Sequence, residues 1–417
     1  MKKNLETLIQ ELCPDGVEFV KLGEVFDLFS GMSKVSNKWA ETGNCKFIDY
    51  LNIYNNIIVD VNKLQNATVA SFKQNVLKKG DILFTCASET PRECAISAVI
   101  RDSIADNTYL DDHLNGIRVK SEFIDKVNPV FVNYYFYSPR FRVAICKIVR
   151  GVTRFYIVNK NFLKIEIPLP PLEVQTEIVR ILDKFTSLEA ELEAELDCRK
   201  RQYEYYRDKL LSFENAGGQE VEWKKMSEVC LKTSKIKWTD ASKDFRYIDL
   251  SSVDRANHSI LECQVINASN APSRAQQVVL EDDILFGTTR PTLMRFCHIP
   301  KEYNGQICST GYCVIRVDKR CVNSHYIYHF LFTKHFYDYV ESHQKGASYP
   351  AISNKDVMDF TIPVPSLAEQ GRIASILDRF ESLTTSLQSG LPAEISARRQ
   401  QYEYYRDKLL TFKRKTA

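Results

Sequence analysis

The chain has 417 residues, of which 44% are hydrophobic, and its formal net charge is +3 at pH 7. This length and apolar content predict two to three domains with substantial cores. The small net charge excludes a general positive field, so any binding of nucleic acid must come from local basic patches. No apolar run approaches the roughly 20 residues that a membrane-spanning helix needs.

The twelve cysteines are scattered without C-x-x-C pairs, and the start of the sequence shows no signal-peptide pattern. These features predict reduced thiols in a cytoplasmic protein. The densest group of possible metal ligands is Cys308, Cys313 and Cys321 with His325, and its spacing matches no zinc pattern. We therefore predict no metal site in this chain.

The first elements are a short helix and two globular segments. Apolar residues recur with helical spacing between Leu5 and Leu12, and Pro14-Asp15-Gly16 is typical of the turn that ends a helix. Similar globular segments begin at Val17 and Val221. Both contain short β-rich runs and then an aromatic helical stretch: Asp81–Phe84, Ile117–Val119 and Tyr134–Ile148 in the first, and Asp283–Phe286, Ile315–Val317 and Tyr326–Val340 in the second. This order predicts an α+β domain in each segment.

A long helix follows the first globular segment. Its apolar residues have a mostly 3,4 spacing: Ile178, Ile181, Phe185, Leu188, Leu192, Leu196, Tyr203, Tyr206 and Leu210. The stripe continues for about 35 residues, or on the order of 50 Å, and suits a coiled-coil seam. The four-residue steps from Leu188 to Leu196 interrupt the heptads as a stutter.

The chain is a tandem duplication. The decapeptide QYEYYRDKLL occurs at Gln202–Leu211 and again at Gln401–Leu410. The I-P-x-P and I-L-D-x-F motifs and the glutamine between them are 195 residues apart in the two copies, whereas the decapeptides are 199 apart, so the second copy carries four extra residues between these landmarks. That insert contains Gly390-Leu391-Pro392, which predicts a kink or a restart of the helix with Pro392 at its first position.

The two copies agree along the helix and differ in the globular segments. Identical helix surfaces predict two copies of one partner, and different globular loops predict two different targets. The helix residues assigned to partner binding are Tyr205, Arg207, Lys209, Tyr404, Arg406 and Lys408, and we expect the repeated charged residues to point outward. The alternative is a recently copied helix whose charged face is only solvated.

A set of motifs along the chain resembles the conserved regions of type I restriction-modification specificity subunits. The motifs are I-P-L-P-P-L-E-x-Q at Ile167–Gln175, I-L-D-x-F, the L-E-A-E tetrads, G-L-P-A-E at 390–394 and both decapeptides. The resemblance covers the whole length. It implies an α+β fold with two α/β target-recognition domains, separated by two long helices that pack as an antiparallel coiled coil with pseudo-two-fold symmetry.

The resemblance also implies the domain bounds and the function. The recognition domains are expected at residues 1–166 and 215–361, and the spacer helices at residues 167–214 and 362–417. The chain is expected to be a non-catalytic DNA reader, each domain reading one half of a bipartite site. Two modification subunits and two restriction subunits are the implied partners, and they, not this chain, are expected to bind S-adenosylmethionine, ATP and Mg.

The geometry expected of such a reader agrees with DNA dimensions. Two domains held on a rigid rod can address half-sites about one helical turn, ~34 Å, apart. One added tetrad lengthens a helix by ~6 Å, so the number of tetrads should change the unread gap.

The catalytic motifs in this sequence are incomplete. Asn128-Pro129-Val130-Phe131 resembles the N-P-P-F motif of adenine-N6 methyltransferases, but Val130 replaces a proline and no glycine-rich loop precedes it, so a turn before a helix is the better interpretation. Pro14-Asp15 with Glu18 and Lys21 departs from nuclease spacing, and the sequence contains no G-x-x-x-x-G-K-[ST]. We therefore predict that the chain is not itself an enzyme.

DNA contacts are predicted in the loop after each D-I-L-F strand and in the loop before each I-P-x-P motif. Basic, amide and hydroxyl side chains there suit phosphates and base edges. The candidates are Ser88, Thr90, Arg92, Arg154 and Lys160 in the first copy, and Thr288, Thr289, Arg290, Ser348, Tyr349 and Lys355 in the second. Asn159 and Asn354 are alternatively helix caps.

Two other classes of protein remain open at this point. One is a coiled-coil adaptor whose globular units bind proteins, and DNA binding would differ from it by a steep loss of affinity with salt. The other is a self-contained type IIG-like enzyme, which the incomplete catalytic motifs disfavour.

Overall fold

The structure is a computed structural model that describes residues 5–33, 35–39, 41–69, 74–213, 221–386 and 389–416. The chain divides into two compact units, of which unit 1 contains Met1–Ala190 and Ala397–Ala417, and unit 2 contains Glu191–Ser396. Unit 1 therefore includes the second copy of the decapeptide, and unit 2 includes the first copy. The expected boundary between residues 214 and 215 lies outside the described residues.

Unit 1 is a mixture of helices and short strands, as expected for the α+β class. Its helices are α1 (Leu5–Leu12), α2 (Leu22–Val25), α3 (Tyr50–Asn55), α4 (Pro129–Phe136), α5 (Pro139–Ile148), α6 (Asn159–Phe162) and the start of α7 (Leu172–Ser212). Its strands are β1 (Phe19–Lys21), β2 (Phe26–Ser30), β3 (Val35–Lys38), β4 (Cys45–Ile48), β5 (Gln65–Val69), β6 (Ile82–Thr85), β7 (Ala87–Ser88), β8 (Ser97–Val99), β9 (Thr108–Leu110), β10 (Leu114–Val119), β11 (Val149–Arg150), β12 (Phe155–Ile157) and β13 (Glu166–Pro168).

The strands of unit 1 form two four-stranded sheets and two smaller ones. The four-stranded sheets have the orders β2-β10-β6-β8 and β3-β5-β4-β9, and the smaller sheets are β11-β12-β7 and β1-β13. The first sheet is antiparallel throughout, whereas β4 and β9 pair in parallel. Stacked aromatic side chains form part of the core of unit 1. The ring centroids of Phe136 and Phe141 are 4.1 Å apart, and those of Phe84 and Phe162 are 4.5 Å apart.

Unit 2 repeats this plan with different sheets. Its own helices are α8 (Met226–Val229), α9 (Ser324–Phe330), α10 (Lys334–His343), α11 (Asn354–Met358) and α12 (Leu367–Thr385). Its strands are β14 (Glu222–Lys225), β15 (Ser234–Lys235), β16 (Phe245–Ile248), β17 (Gln264–Ile266), β18 (Ala275–Val278), β19 (Ile284–Gly287), β20 (Phe296–His298), β21 (Ile307–Ser309), β22 (Tyr312–Ile315) and β23 (Thr361–Val364). The sheet orders are β15-β18-β21-β16-β17, β20-β19-β22 and β14-β23.

Each predicted aromatic helical stretch is two helices rather than one. The break in unit 1 lies at Ser138, whose hydroxyl accepts a hydrogen bond from the Phe141 amide, and Pro139 begins α5. Thr333 caps α10 in the same way through the Phe336 amide. A capping side chain satisfies an amide that would otherwise lack a partner, so the chain can turn sharply inside an apolar stretch.

A buried ion pair joins the D-I-L-F strand of each unit to the I-R-V segment. In unit 1, Arg118 donates to both carboxylate oxygens of Asp81 at 2.7 Å, and its guanidinium also donates to the Val76 carbonyl at 2.8 Å. In unit 2, Arg316 donates to Asp283 at 2.9 and 2.7 Å. Both carboxylates are almost fully buried. Bidentate pairing of this kind sets the position of the neighbouring chain segments as well as neutralising charge.

A buried glutamine at the base of each long helix makes the second shared contact. Gln175 accepts from the Asn128 amide at 2.8 Å and donates to the Lys126 and Pro170 carbonyls at 2.8 and 2.6 Å. Gln370 repeats these bonds in unit 2, accepting from the Asn323 amide at 2.9 Å. The glutamine of the I-P-L-P-P-L-E-x-Q motif therefore ties the start of the helix to the turn before α4 or α9.

The long helices pack antiparallel within unit 1, as expected. There Phe185 of α7 stacks on Tyr405 at 5.5 Å between centroids, and Glu189, one turn further along, pairs with Arg399, which comes earlier in helix α13 (Leu391–Leu409). In unit 2, Phe380 of α12 stacks on Tyr206 of α7 at 5.7 Å. Leu188 departs from the predicted seam because 46% of it is exposed.

The second long helix is interrupted at the predicted insert. Helix α12 ends at Thr385 and α13 begins at Leu391, so Pro392 is the second residue of the new helix and not the first. A Cβ at Gly390 would lie 2.6 Å from the Ser382 carbonyl oxygen, which only glycine avoids.

Replacing Asp283 with alanine is expected to lower the free energy of unfolding by about 3 kcal/mol, because Arg316 would be left without its partner in a largely buried position. The side chains of Arg316 and Asp283 are only 13% and 2% exposed. Urea denaturation of the full chain measures the change. Asp338→Ala is the matched control, because Asp338 and its partner Lys334 are 52% and 80% exposed, so solvent screens the pair and its loss should change the free energy of unfolding far less. Equal losses in both variants would contradict the prediction.

Candidate nucleic-acid interface

The two predicted DNA-contact loops of unit 1 lie side by side. Loop A follows the D-I-L-F strand (residues 86–94), and loop B precedes the I-P-x-P motif (residues 151–160). Strand β7 in loop A pairs with β12 in loop B, placing Ser88 opposite Phe155 and Ala87 opposite Tyr156. The pairing joins segments about 70 residues apart in sequence, so the candidates on both loops belong to one surface region.

Unit 2 brings the corresponding loops together through other bonds. Here loop A is residues 288–294 and loop B is residues 346–355. Thr289 and Ala351 form a bridge, and the Arg290 amide donates to the Pro350 carbonyl at 2.7 Å. The Arg290 guanidinium carbon lies 4.7 Å from the centroid of the Tyr349 ring, a cation–π distance.

Most of the predicted DNA contacts are exposed in the structure. The exposed candidates are Thr90, Arg92, Arg154 and Lys160 in unit 1 and Thr289, Arg290, Ser348, Tyr349 and Lys355 in unit 2. Tyr349 stands out because 71% of it is exposed although it is a large aromatic residue. The described geometry therefore leaves these side chains available to a ligand, and their contact with DNA stays a prediction.

Ser88 and Thr288 are the exceptions, because both are buried. The Ser88 hydroxyl donates to the Glu93 carboxylate at 3.0 Å, and the Thr288 hydroxyl donates to the Gly311 carbonyl at 2.9 Å. The expectation that these loop hydroxyls face a ligand finds no support in their positions. Each hydroxyl group instead makes a hydrogen bond that stabilises the conformation of loop A in its own unit.

Arg290 has a left-handed backbone, with φ 49° and ψ 58°. A residue with a Cβ is strained there, and such strain persists only where surrounding contacts enforce it. The hydrogen bond from its amide to Pro350 is one of those contacts. Strain of this kind concentrates at binding and active sites, which favours Arg290 as a functional residue.

Arg142 of α5 supports loop A of unit 1 and was not among the sequence candidates. Its guanidinium donates to the carbonyls of Arg92, Cys94 and Ala95 at 3.2, 2.8 and 2.8 Å. Burial lowers the pKa of Arg142 to about 10, so it stays protonated at pH 7. The sequence signal was weak, since an arginine on a helix usually faces solvent.

A pair of stacked tyrosines also adjoins loop A of unit 1. The rings of Tyr50 and Tyr54 lie 5.5 Å apart, and Tyr54 is 39% exposed. Glu93 of loop A lies beside Tyr54, and its negative charge raises the pKa of Tyr54. Sequence reasoning missed both residues because they precede loop A by more than 30 positions.

Two further predictions require correction. Asn159 and Asn354 are the first residues of α6 and α11, not the caps that precede them. Ser353 caps α11 by accepting from the Asp356 amide at 3.1 Å, while the Asn159 side-chain oxygen accepts from the Asn115 amide nitrogen at 3.0 Å. In contrast, Asn128 of the N-P-V-F segment caps α4 through the Val130 amide, as the turn interpretation predicted.

The repeated helix surface is only partly exposed. Tyr205 and Tyr404 are 60% and 62% exposed, and Lys209 and Lys408 face solvent. The expectation that Arg207 and Arg406 point outward is wrong. Their guanidinium carbons lie 5.5 and 5.7 Å from the ring centroids of the buried residues Tyr203 and Tyr402, so both arginines cover apolar surface.

Among the helices of the described residues, none has both the length and the apolar composition for crossing a membrane.

Comparison with known protein families accounts for nearly the whole chain. Residues 14–197 and 219–397 match the family described as the type I restriction modification DNA specificity domain. The two matched segments correspond to the two copies of the duplication. The chain belongs to this family.

Individual relatives agree with the family match. The specificity subunit of the type I restriction enzymes EcoR124I/EcoR124II of Escherichia coli is 38% identical over 277 residues, which span 62% of this chain and 66% of that protein. The EcoprrI specificity subunit of Escherichia coli is 26% identical over 386 residues, 89% of each chain. A crystal structure of the type I restriction-modification S subunit of M. genitalium covers 95% of this chain and 96% of its own with a TM-score of 0.54 at 15% identity, which supports the fold.

Proposed function

We propose that this chain is the DNA-sequence-recognition subunit of a type I restriction-modification complex, with each recognition domain reading one half of a bipartite site. The observation that carries the proposal is that loops A and B meet in both units while their exposed residues differ. Recognition of two different half-sites requires a shared fold that carries different DNA-contacting residues in each domain.

The chemistry of the exposed loops suits DNA. Arginine reads guanine or neutralises phosphate, and hydroxyl groups contact either groove or backbone. Unit 1 offers Arg92 and Arg154, whereas unit 2 offers Arg290 with Tyr349. The overall charge of +3 makes these local cations, rather than a general field, the source of affinity.

The reactions themselves belong to other subunits in this proposal. S-adenosylmethionine would be bound by two modification subunits that methylate adenine at N6, and ATP and Mg by partners that include two restriction subunits. The exposed repeats of Tyr205 with Lys209 and of Tyr404 with Lys408 support docking of two copies of one partner, because the same surface occurs twice. The recognition domains would be residues 1–166 and 215–361, and the helices of residues 167–214 and 362–417 would set the unread gap.

Co-expression of the full chain with its cognate modification subunit tests the function. Single-molecule mapping of N6-methyladenine across the host genome should give one split motif with two specified ends and a fixed gap. Exchange of residues 1–168 for another first domain should alter one end only. Formation of the complex without any split methylated motif would overturn the proposal and favour the adaptor class.

Arg290→Ala is expected to reduce methylation at the native site by about 10- to 100-fold, since one bidentate base contact contributes about 1–3 kcal/mol of discrimination. Arg290→Lys distinguishes the two kinds of contact, because lysine keeps the charge for phosphate but loses the bidentate fork. Methylation rates on duplexes with single base changes provide the measurement. Arg320→Ala is the control, as Arg320 is 84% exposed and lies outside loops A and B. An unchanged rate in Arg290→Ala would contradict the assignment.

Tyr205→Ala and Tyr404→Ala should each remove one of the two modification subunits, and the double variant should remove both. The reason is that large aromatic residues contribute most to protein interfaces. Native mass spectrometry of the purified complex counts the subunits. Tyr156→Ala is the matched control, because Tyr156 is 51% exposed but lies in loop B. A double variant that retains two partner subunits would place docking elsewhere.

A further inference from the structure

Unit 2 contains a group of possible metal ligands that the sequence pattern did not reveal. Asp282, His298 and His325 each offer a ligand atom, and these atoms lie within 4.8 Å of one another. Asp282 precedes β19, His298 ends β20 and His325 lies in the first turn of α9. Three separate elements therefore converge on one point.

The distances are close to those of a metal site. The Nε2 atom of His298 lies 3.5 Å from Asp282 Oδ1, and the rings of His298 and His325 are 4.3 Å apart between centroids. Ligand atoms of a tetrahedral zinc ion, at bonds of about 2.1 Å, are separated by about 3.4 Å. Small rotations of the side chains would bring all three onto one ion, with His298 giving up its 3.3 Å contact to the Ser324 hydroxyl.

Neighbouring side chains hold the possible ligands in place by hydrogen bonds, as they do around metal sites. His325 Nδ1 lies 3.1 Å from Asp378 Oδ1, which leaves the other ring nitrogen of His325 free to coordinate. A carboxylate behind a histidine is the usual support of a metal ligand. His329 Nε2 contacts the same carboxylate at 2.8 Å, and Lys319 holds the second oxygen of Asp282 at 2.5 Å.

The corresponding positions of unit 1 show that the fold does not need these ligands. Asp282 corresponds to Gly80, because each directly precedes the aspartate of the buried ion pair. His298 corresponds to Val99, because each pairs with the isoleucine of the D-I-L-F strand in its unit. Val130 follows the α4 cap Asn128 by two residues, as His325 follows the α9 cap Asn323. Glycine and two valines fill the same places in the same architecture. The three donors are therefore an addition specific to unit 2.

The cluster is accessible from solvent. The side chains of His298, Asp282 and His325 are 18%, 31% and 43% exposed. An ion can enter without unfolding, and water can complete its coordination.

We propose that Asp282, His298 and His325 bind one divalent transition-metal ion of the zinc class. Two imidazoles and one carboxylate form a donor set that zinc accepts and magnesium does not prefer. The ion links the β19–β20 hairpin to α9, so its binding stabilises unit 2. This proposal departs from the sequence prediction of no metal site, which considered His325 only together with cysteines.

The test is metal binding by the full chain after removal of metals with a chelator. Calorimetric titration with Zn²⁺ should give one site per chain, and Zn²⁺ should raise the unfolding temperature by about 5 °C while Mg²⁺ leaves it unchanged. Substitution with Co²⁺ should give a spectrum without thiolate charge-transfer bands. Such bands would instead assign the ion to exposed cysteines, such as Cys146, Cys198 or Cys321, and overturn the proposal.

His298→Val and His325→Val are the decisive variants, because valine occupies both corresponding positions of unit 1. Each should weaken Zn²⁺ binding at least 100-fold while the unfolding temperature in chelator stays within a few degrees of the native value. His113→Ala is the control, since His113 is 80% exposed in unit 1 and lies outside the cluster. Undiminished binding in both valine variants, or no binding by the native chain, would overturn the proposal.

Discussion

The buried pair between an aspartate and an arginine is the constraint on which both units depend. Asp81 with Arg118, and Asp283 with Arg316, are bidentate pairs at the start of the central buried strand. A carboxylate almost fully removed from water is stable only with such a partner. The pair therefore holds the strand against the I-R-V segment, and loop A leaves from the far end of that strand.

The duplication preserved particular buried contacts while the sheets and the exposed loops changed. Gln175 and Gln370 make the same three hydrogen bonds, which connect the base of a long helix to the turn before an aromatic helix. Loop A and loop B meet in both units, but through a three-stranded sheet in one and through single bridges in the other. A rigid shared base with variable loops is the arrangement in which binding residues change without loss of the fold.

The helices were the most predictable part, because their signal is a local periodicity. The apolar stripe predicted α7, and Gly390-Leu391-Pro392 predicted the restart that gives α13. Side-chain exposure was less predictable. Arg207 and Arg406 were expected in solvent but cover Tyr203 and Tyr402, since a long aliphatic stem can follow an apolar surface.

The sequence by itself determined the duplication, the α+β class and the long helices, because repeats, periodicity and turn residues are properties of neighbouring positions. Contact of loops A and B with DNA stays a prediction from that sequence. Only the tertiary structure decided which hydroxyls of those loops are buried and that Arg142 supports loop A. It also brought Asp282, His298 and His325 together. Contacts between positions far apart in the chain depend on how strands and helices pack, and no local pattern in one sequence records that packing.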